Sequence, residues 1–71
     1  MKYADIKALL HVNHTLKAAR KEWDNEAYIM VEGNYIVVVR KHDPHVGMGF
    51  IKTVYTPVYQ DLISNDWEII A

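Results

Sequence analysis

The sequence predicts an α+β fold: an N-terminal helix packed on a small antiparallel sheet, with a short helix before the last strand, in a single domain over residues 1–71. Three observations predict it. Apolar side chains at Tyr3, Ile6, Leu9 and Leu10 recur at spacings of three and four, the period of a helix with one buried stripe. Ala27–Glu32 and residues 35–40 are rich in β-branched and aromatic side chains and are parted only by Gly33-Asn34. Thr56-Pro57 is helix-start chemistry, and the apolar Trp67–Ile70 segment follows the Asn65-Asp66 break.

The first helix spans Tyr3–Val12, with Asp5 in its first turn where the helix dipole favours negative charge. Asn13-His14 reads as its stop, because Asn tolerates the left-handed conformation, although the pattern also allows the helix to run on to Lys21. Thr15 to Arg20 is ambiguous: Thr15-Leu16 suits a strand, whereas Lys17-Ala18-Ala19 leans helical. Asp24-Asn25 is turn chemistry. The Gly33-Asn34 link places Gly at the first central position of a type II′ hairpin. The unbroken apolar run 36–39 predicts a strand covered on both faces, by the helix and by a partner subunit. Residues 41–49 read as a loop around Asp43-Pro44, Gly47 and Gly49, and residues 50–55 as a further strand. In the short helix, Thr56 caps, Pro57 opens, and Val58, Leu62 and Ile63 face inward.

Seventy-one residues without cysteine exclude disulfide staples and thiolate metal sites, and favour a cytosolic setting. Half the residues are apolar, so a core this small is expected to gain stability by forming a homo-oligomer. The net charge is −1 and the Lys and Arg residues are scattered, which argues against long nucleic acid. Nothing approaches a membrane span or the apolar stretch of a signal peptide, so a soluble, unprocessed protein is expected.

Candidate chemistry concentrates around the two tryptophans. Ala19-Arg20-Lys21-Glu22-Trp23-Asp24-Asn25 and the segment from Asp61 to Trp67 each place an indole beside charged or amide groups. Such a set suits a nucleotide-like ligand: the ring stacks a base, Arg20 or Lys21 meets phosphate, and Asp24 or Asn25 takes a sugar or base edge. A tryptophan in so small a chain also serves as a core anchor. His11 with His14, and His42 with His45, have the spacing of a shared zinc ion, but without cysteine solvated surface histidines are the better reading and no metal is assigned. Ser64 lacks a nucleophile elbow, Asp61 and Asp66 read as helix-end caps, and Gly47-Met48-Gly49 lacks the lysine of a phosphate loop. No catalytic residue and no cofactor is assigned; the chain reads as a non-enzyme.

Three matches in chain order give the sequence a family look: Ala19-Arg20-Lys21-Glu22-Trp23-Asp24, then Tyr55-Thr56-Pro57, then Asp61-Leu62-Ile63-Ser64-Asn65-Asp66-Trp67. It resembles the second Thoeris anti-defence family of phage proteins. The resemblance implies an α+β homo-oligomer, a tetramer or dimer, in the cytoplasm of an infected bacterial host. It implies a sponge that sequesters cyclic ADP-ribose isomers or cyclic dinucleotides without cleaving them. Arg20, Trp23 and Asp24 then lie near the ligand, and Asp61 and Trp67 line or shape the pocket. The family's usual Gly before the Trp is Glu22 here. The alternative is a protein-interaction module that docks through a sheet edge or aromatic patch and holds no small ligand.

The two tryptophans are expected to separate by mutation: Trp23→Ala removes ligand binding and leaves a folded oligomer, whereas Trp67→Ala mainly destabilises. Circular dichroism melts of both variants, with Trp67→Ala the less stable, check this.

Overall fold

The computed structural model describes residues 1–41 and 50–70. The expected turn at Asp43-Pro44, the His42 and His45 pair and Gly47-Met48-Gly49 lie outside them. Helix α1 covers Tyr3–Val12 and buries Tyr3, Ile6 and Leu10, the last two completely. Each such side chain contributes roughly 1.5–3 kcal/mol by leaving water. Leu9 lies on the flank of that stripe and stays 38% exposed.

The helix stops at Asn13 by a different device from the one expected. Asn13 is extended (φ −135°, ψ 101°), not left-handed, and its Oδ1 accepts from the Thr15 backbone N–H at 3.0 Å and the Thr15 hydroxyl at 2.7 Å. A local side-chain-to-backbone bond thus competes with, and ends, the helical ladder.

Strand β1 (Lys17–Arg20) resolves the ambiguous stretch, since pairing on both sides overrides the helical lean of its alanines. The others are β2 (Ala27–Glu32), β3 (Tyr35–Lys41), β4 (Phe50–Val54) and β5 (Trp67–Ile70), in the spatial order β4-β3-β2-β1-β5, every neighbour antiparallel. The hairpin between β2 and β3 pairs Glu32 with Tyr35 across a two-residue link. Gly33 takes φ +64° with nothing within 4 Å of a built Cβ, so conformation and not space demands glycine there.

Paired residues share a face, and the register sorts the sheet into two. Ala18, Ile29, Val31 and Val38 lie with Tyr3, Ile6, Leu10, Tyr55 and Trp67 in one core beneath α1. Ala18 is fully buried there, its small side chain letting the helix come close. Ala19, Val37 and Val39 belong to the opposite face, where no helix among the described residues packs. They are buried nonetheless, among lateral neighbours such as Tyr28, whose ring lies 5.0 Å from Lys17 Nζ. The run 36–39 therefore has the expected helix on one side only.

The short helix α2 is Tyr59–Ile63, beginning later than expected, with Val58 at its N-cap and no capping side chain. Its orientation is also the reverse of expectation. Val58, Leu62 and Ile63 are exposed by 62%, 49% and 52%, and the helix buries only Asp61. No helix among the described residues is long and apolar enough to cross a membrane.

Ile29 is fully buried at the centre of the sheet, between Ala18 and Val38. Ile29→Ala is expected to cost roughly 2–5 kcal/mol, a large share of the roughly 4–10 kcal/mol total for a domain of this size. Urea unfolding followed by tryptophan fluorescence measures it.

Candidate functional site

At the end of β1 the chain tightens into one 3₁₀ turn, Lys21–Trp23, and then reverses through Asp24 (φ 50°) and Asn25 (φ 64°). Both residue types tolerate this left-handed backbone better than most. The Asp24 N–H donates to Lys21 O and the Glu26 N–H to Trp23 O, closing the reversal. The reversal folds the Trp23 ring back onto the protein, edge-on to Trp67 with centroids 5.1 Å apart and edge-on to Tyr55 at 6.1 Å. Tyr3 completes a four-ring group, 5.5 Å from Trp67 and 6.0 Å from Tyr55. Trp23 is accordingly both core and surface: partly buried against the core, with an exposed part lining a cleft.

Arg20 closes β1 and is buried. Its Nε donates to Asp66 Oδ1 at 2.9 Å, one terminal nitrogen to Asp61 Oδ1 at 3.0 Å, and the other lies 2.8 Å from Glu22 Oε2. Every nitrogen of the guanidinium is engaged. Three carboxylates around one cation leave the cluster with an excess of two negative charges. Asp66 is held below its ordinary 3.8 by the Arg20 hydrogen bond first, which outweighs the opposing effect of burial. The same bond raises Arg20.

Asp61 faces inward because its polar atoms find partners there. Its Oδ2 accepts the Tyr55 hydroxyl at 2.6 Å, its Oδ1 the Arg20 guanidinium, and its backbone carbonyl the Trp67 indole N–H at 2.8 Å. Neither Asp61 nor Asp66 caps α2, in contrast to the expectation, because both bond the buried guanidinium; Asp66 Oδ2 also accepts the Glu22 N–H of the 3₁₀ turn at 3.3 Å. Burial first, then the bond to Asp61, pushes the Tyr55 hydroxyl far above its ordinary 10.0. Ser64 donates its hydroxyl to the Gln60 carbonyl, as a helix-end residue does.

A cleft of about 460 Å³ opens beside this group, lined by Trp23, Glu26, Ala27, Val38, Arg40, Tyr55, Thr56, Val58 and Asp61. A second cleft, of about 530 Å³, lies along Lys21, Asn65, Asp66, Trp67 and Glu68. Of the residues expected to meet a ligand, Trp23 and Asp61 line the first cleft and Lys21 and Trp67 the second. Arg20 stands behind them inside its carboxylates, and Asp24 and Asn25 form the exposed turn next to Trp23. Sequence reasoning missed Tyr55, Glu26 and Arg40. Arg40 carried a signal: strand alternation puts it on the same face as Val38, a charge among inward positions near a strand end. His11 and His14 are both exposed. No group of metal-ligating side chains occurs among the described residues.

The family model of the Thoeris anti-defense 2-like domain (Tad2-like) matches residues 1–70. No curated protein and no solved structure matches the chain.

The Arg20 cluster predicts both a mutational and a pH response. Arg20→Ala leaves Asp61 buried without its cation and is expected to cost roughly 3–5 kcal/mol in urea unfolding; Glu22→Ala, at an exposed partner, costs under about 1 kcal/mol. Because Asp66 is lowered in the folded state, its stabilisation is complete above pH 3.8 and is lost as pH falls through the folded value. Tyr55 is raised, so its contribution is present below pH 10.0 and is lost as pH rises above it. A melting-temperature profile is expected to fall on the acid side of pH 3.8 and on the alkaline side of pH 10.0, with a shallower acid limb in Asp66→Asn.

Proposed function

The chain belongs to the Thoeris anti-defense 2-like family, and from that premise we propose that it captures a cyclic nucleotide immune signal and holds it without cleavage. An anti-defence role comes with the family; the ligand and the mode of action are the proposal. The observation that carries it is the cleft at Trp23. Its volume lies within the range of small-molecule sites. It combines two aromatic rings, Trp23 and Tyr55, with one cation, Arg40, and the acidic side chains of Glu26 and Asp61. Rings stack a base, a cation meets phosphate, and acceptors take amino or hydroxyl groups.

Roles follow from position. Trp23 stacks the base. Arg40 takes phosphate in the cleft, and Lys21 does so in the neighbouring one, whose wall the buried Trp67 shapes from within the core. Asp24 and Asn25 reach sugar hydroxyls from the turn. Arg20 and Asp61 hold the walls in place, since the negative excess around Arg20 disfavours a phosphate directly on it. Retention without chemistry is supported by how the polar groups are committed: Ser64 to a helix carbonyl, Asp61 and Asp66 to Arg20.

A cleft of this size suits one nucleoside better than a whole dinucleotide, so the complete pocket is proposed to form in a homo-oligomer, tetrameric or dimeric, within the cytoplasm of an infected bacterium. The open sheet face with Tyr28, Met30 and the 62%-exposed Val54 is apolar enough to serve as the subunit contact. One observation favours a second reading, a protein-interaction module: Val58, Tyr59, Leu62 and Ile63 leave an exposed apolar patch on and beside α2.

A thermal-shift panel of cyclic dinucleotides and cyclic ADP-ribose isomers separates the two. A captured ligand at 100 times its Kd adds about 2.7 kcal/mol, and each kcal/mol raises the melting temperature by roughly 4–8 °C in a domain of this size. Intact compound recovered after heating is expected. No shift with any compound moves the function to protein interaction.

A further inference from the structure

We infer that the cleft at Trp23 selects a nucleobase by its hydrogen-bond donors, with Glu26 as the specificity-determining residue and guanine as the favoured base. This rests on the nucleotide-capture reading and adds which base the site takes.

The argument is one of proton placement. The Tyr55 hydroxyl donates to Asp61 Oδ2 at 2.6 Å, and Asp61 Oδ1 is held by the Arg20 guanidinium at 3.0 Å. With its proton committed, the Tyr55 oxygen offers the cleft lone pairs only. Both Asp61 oxygens already accept, one from Arg20 and one from the Tyr55 hydroxyl, so Asp61 turns no donor toward the cleft. Glu26, exposed at the rim, places a further carboxylate on the same cleft. The Glu26 backbone is fixed by its N–H bond to Trp23 O at 2.9 Å, and Glu26 lines the same cleft as the ring proposed to stack the base. Arg40 is the one cation among the cleft's lining residues, and a phosphate opposite the base occupies it.

A wall whose exposed carboxylate is Glu26 rewards a base edge made of donors. Guanine presents N1–H and a 2-amino group side by side, a pair that one carboxylate can accept together; hypoxanthine keeps only N1–H. Adenine presents a single amino group beside an acceptor nitrogen, which such a wall repels. Sites built to bond a particular donor reject analogues lacking it, because the site's own polar groups are then left unpaired.

The test is isothermal titration of the intact protein with three 3′,5′-cyclic dinucleotides that differ only in base: guanine, hypoxanthine and adenine. Wild type is expected to bind the guanine compound roughly tenfold or more tightly than the hypoxanthine one, and adenine more weakly still. Glu26→Gln, whose melting temperature is expected to match wild type because Glu26 is exposed, brings the guanine and hypoxanthine affinities within about threefold. Equal binding of all three, tighter binding of adenine, or unchanged discrimination in Glu26→Gln overturns the inference and leaves nucleotide capture standing. Binding of cyclic ADP-ribose isomers alone does the same. Failure of every cyclic nucleotide to bind overturns capture itself, and the base preference with it.

Discussion

Arg20 is the point on which the rest of the molecule depends. One guanidinium joins the end of β1 to α2 through Asp61, to the approach of β5 through Asp66, and to its own following turn through Glu22. Two of these partners lie 41 and 46 residues away in sequence. A buried charge tolerates no vacancy in its shell, so each acid acts as a spacer that fixes where a distant segment can sit. The four aromatic rings then pack in the remaining space, held at the Tyr55 hydroxyl and the Trp67 indole by Asp61 alone. The cleft beside Trp23 is the shape left over once those commitments are met.

This arrangement divides the motif-bearing residues into those that face outward and those that hold. Trp23 meets the cleft only because Trp67 and Tyr55 hold it edge-on from behind. Asp61, the acid expected at the pocket wall, is spent on Arg20 and the Tyr55 hydroxyl. Beside Trp23, the cleft is lined by residues outside any motif, Glu26 and Arg40 among them.

Local chemistry made much of the fold readable. The stripe from Tyr3 to Leu10 and the Gly33-Asn34 hairpin each encode their structure within a dozen residues, and both stand as the pattern implied. Where long-range pairing decides, the reading ran out. Lys17-Ala18-Ala19 becomes a strand because two neighbours pair with it, which propensity does not register. Helix α2 turns over because one carboxylate bonded to a buried guanidinium outweighs three apolar side chains left in water, a comparison that needs the position of Arg20. The Trp23 and Trp67 segments were legible as a constellation, but the cleft's opposite wall was not, since Arg40 reaches it only through the register of β2 and β3.

The placement of β5 beside β1 has a kinetic side. The last strand pairs with the first, and Asp61, Asp66 and Trp67 all belong to the final dozen described residues. A chain emerging from the ribosome can form α1 and the β2–β3 hairpin early, because those contacts are local. It cannot complete the Arg20 cluster or seat Trp23 against Trp67 until that segment docks. The cleft beside Trp23 therefore takes shape only after Asp61 and Asp66, 41 and 46 residues beyond Arg20, have been made.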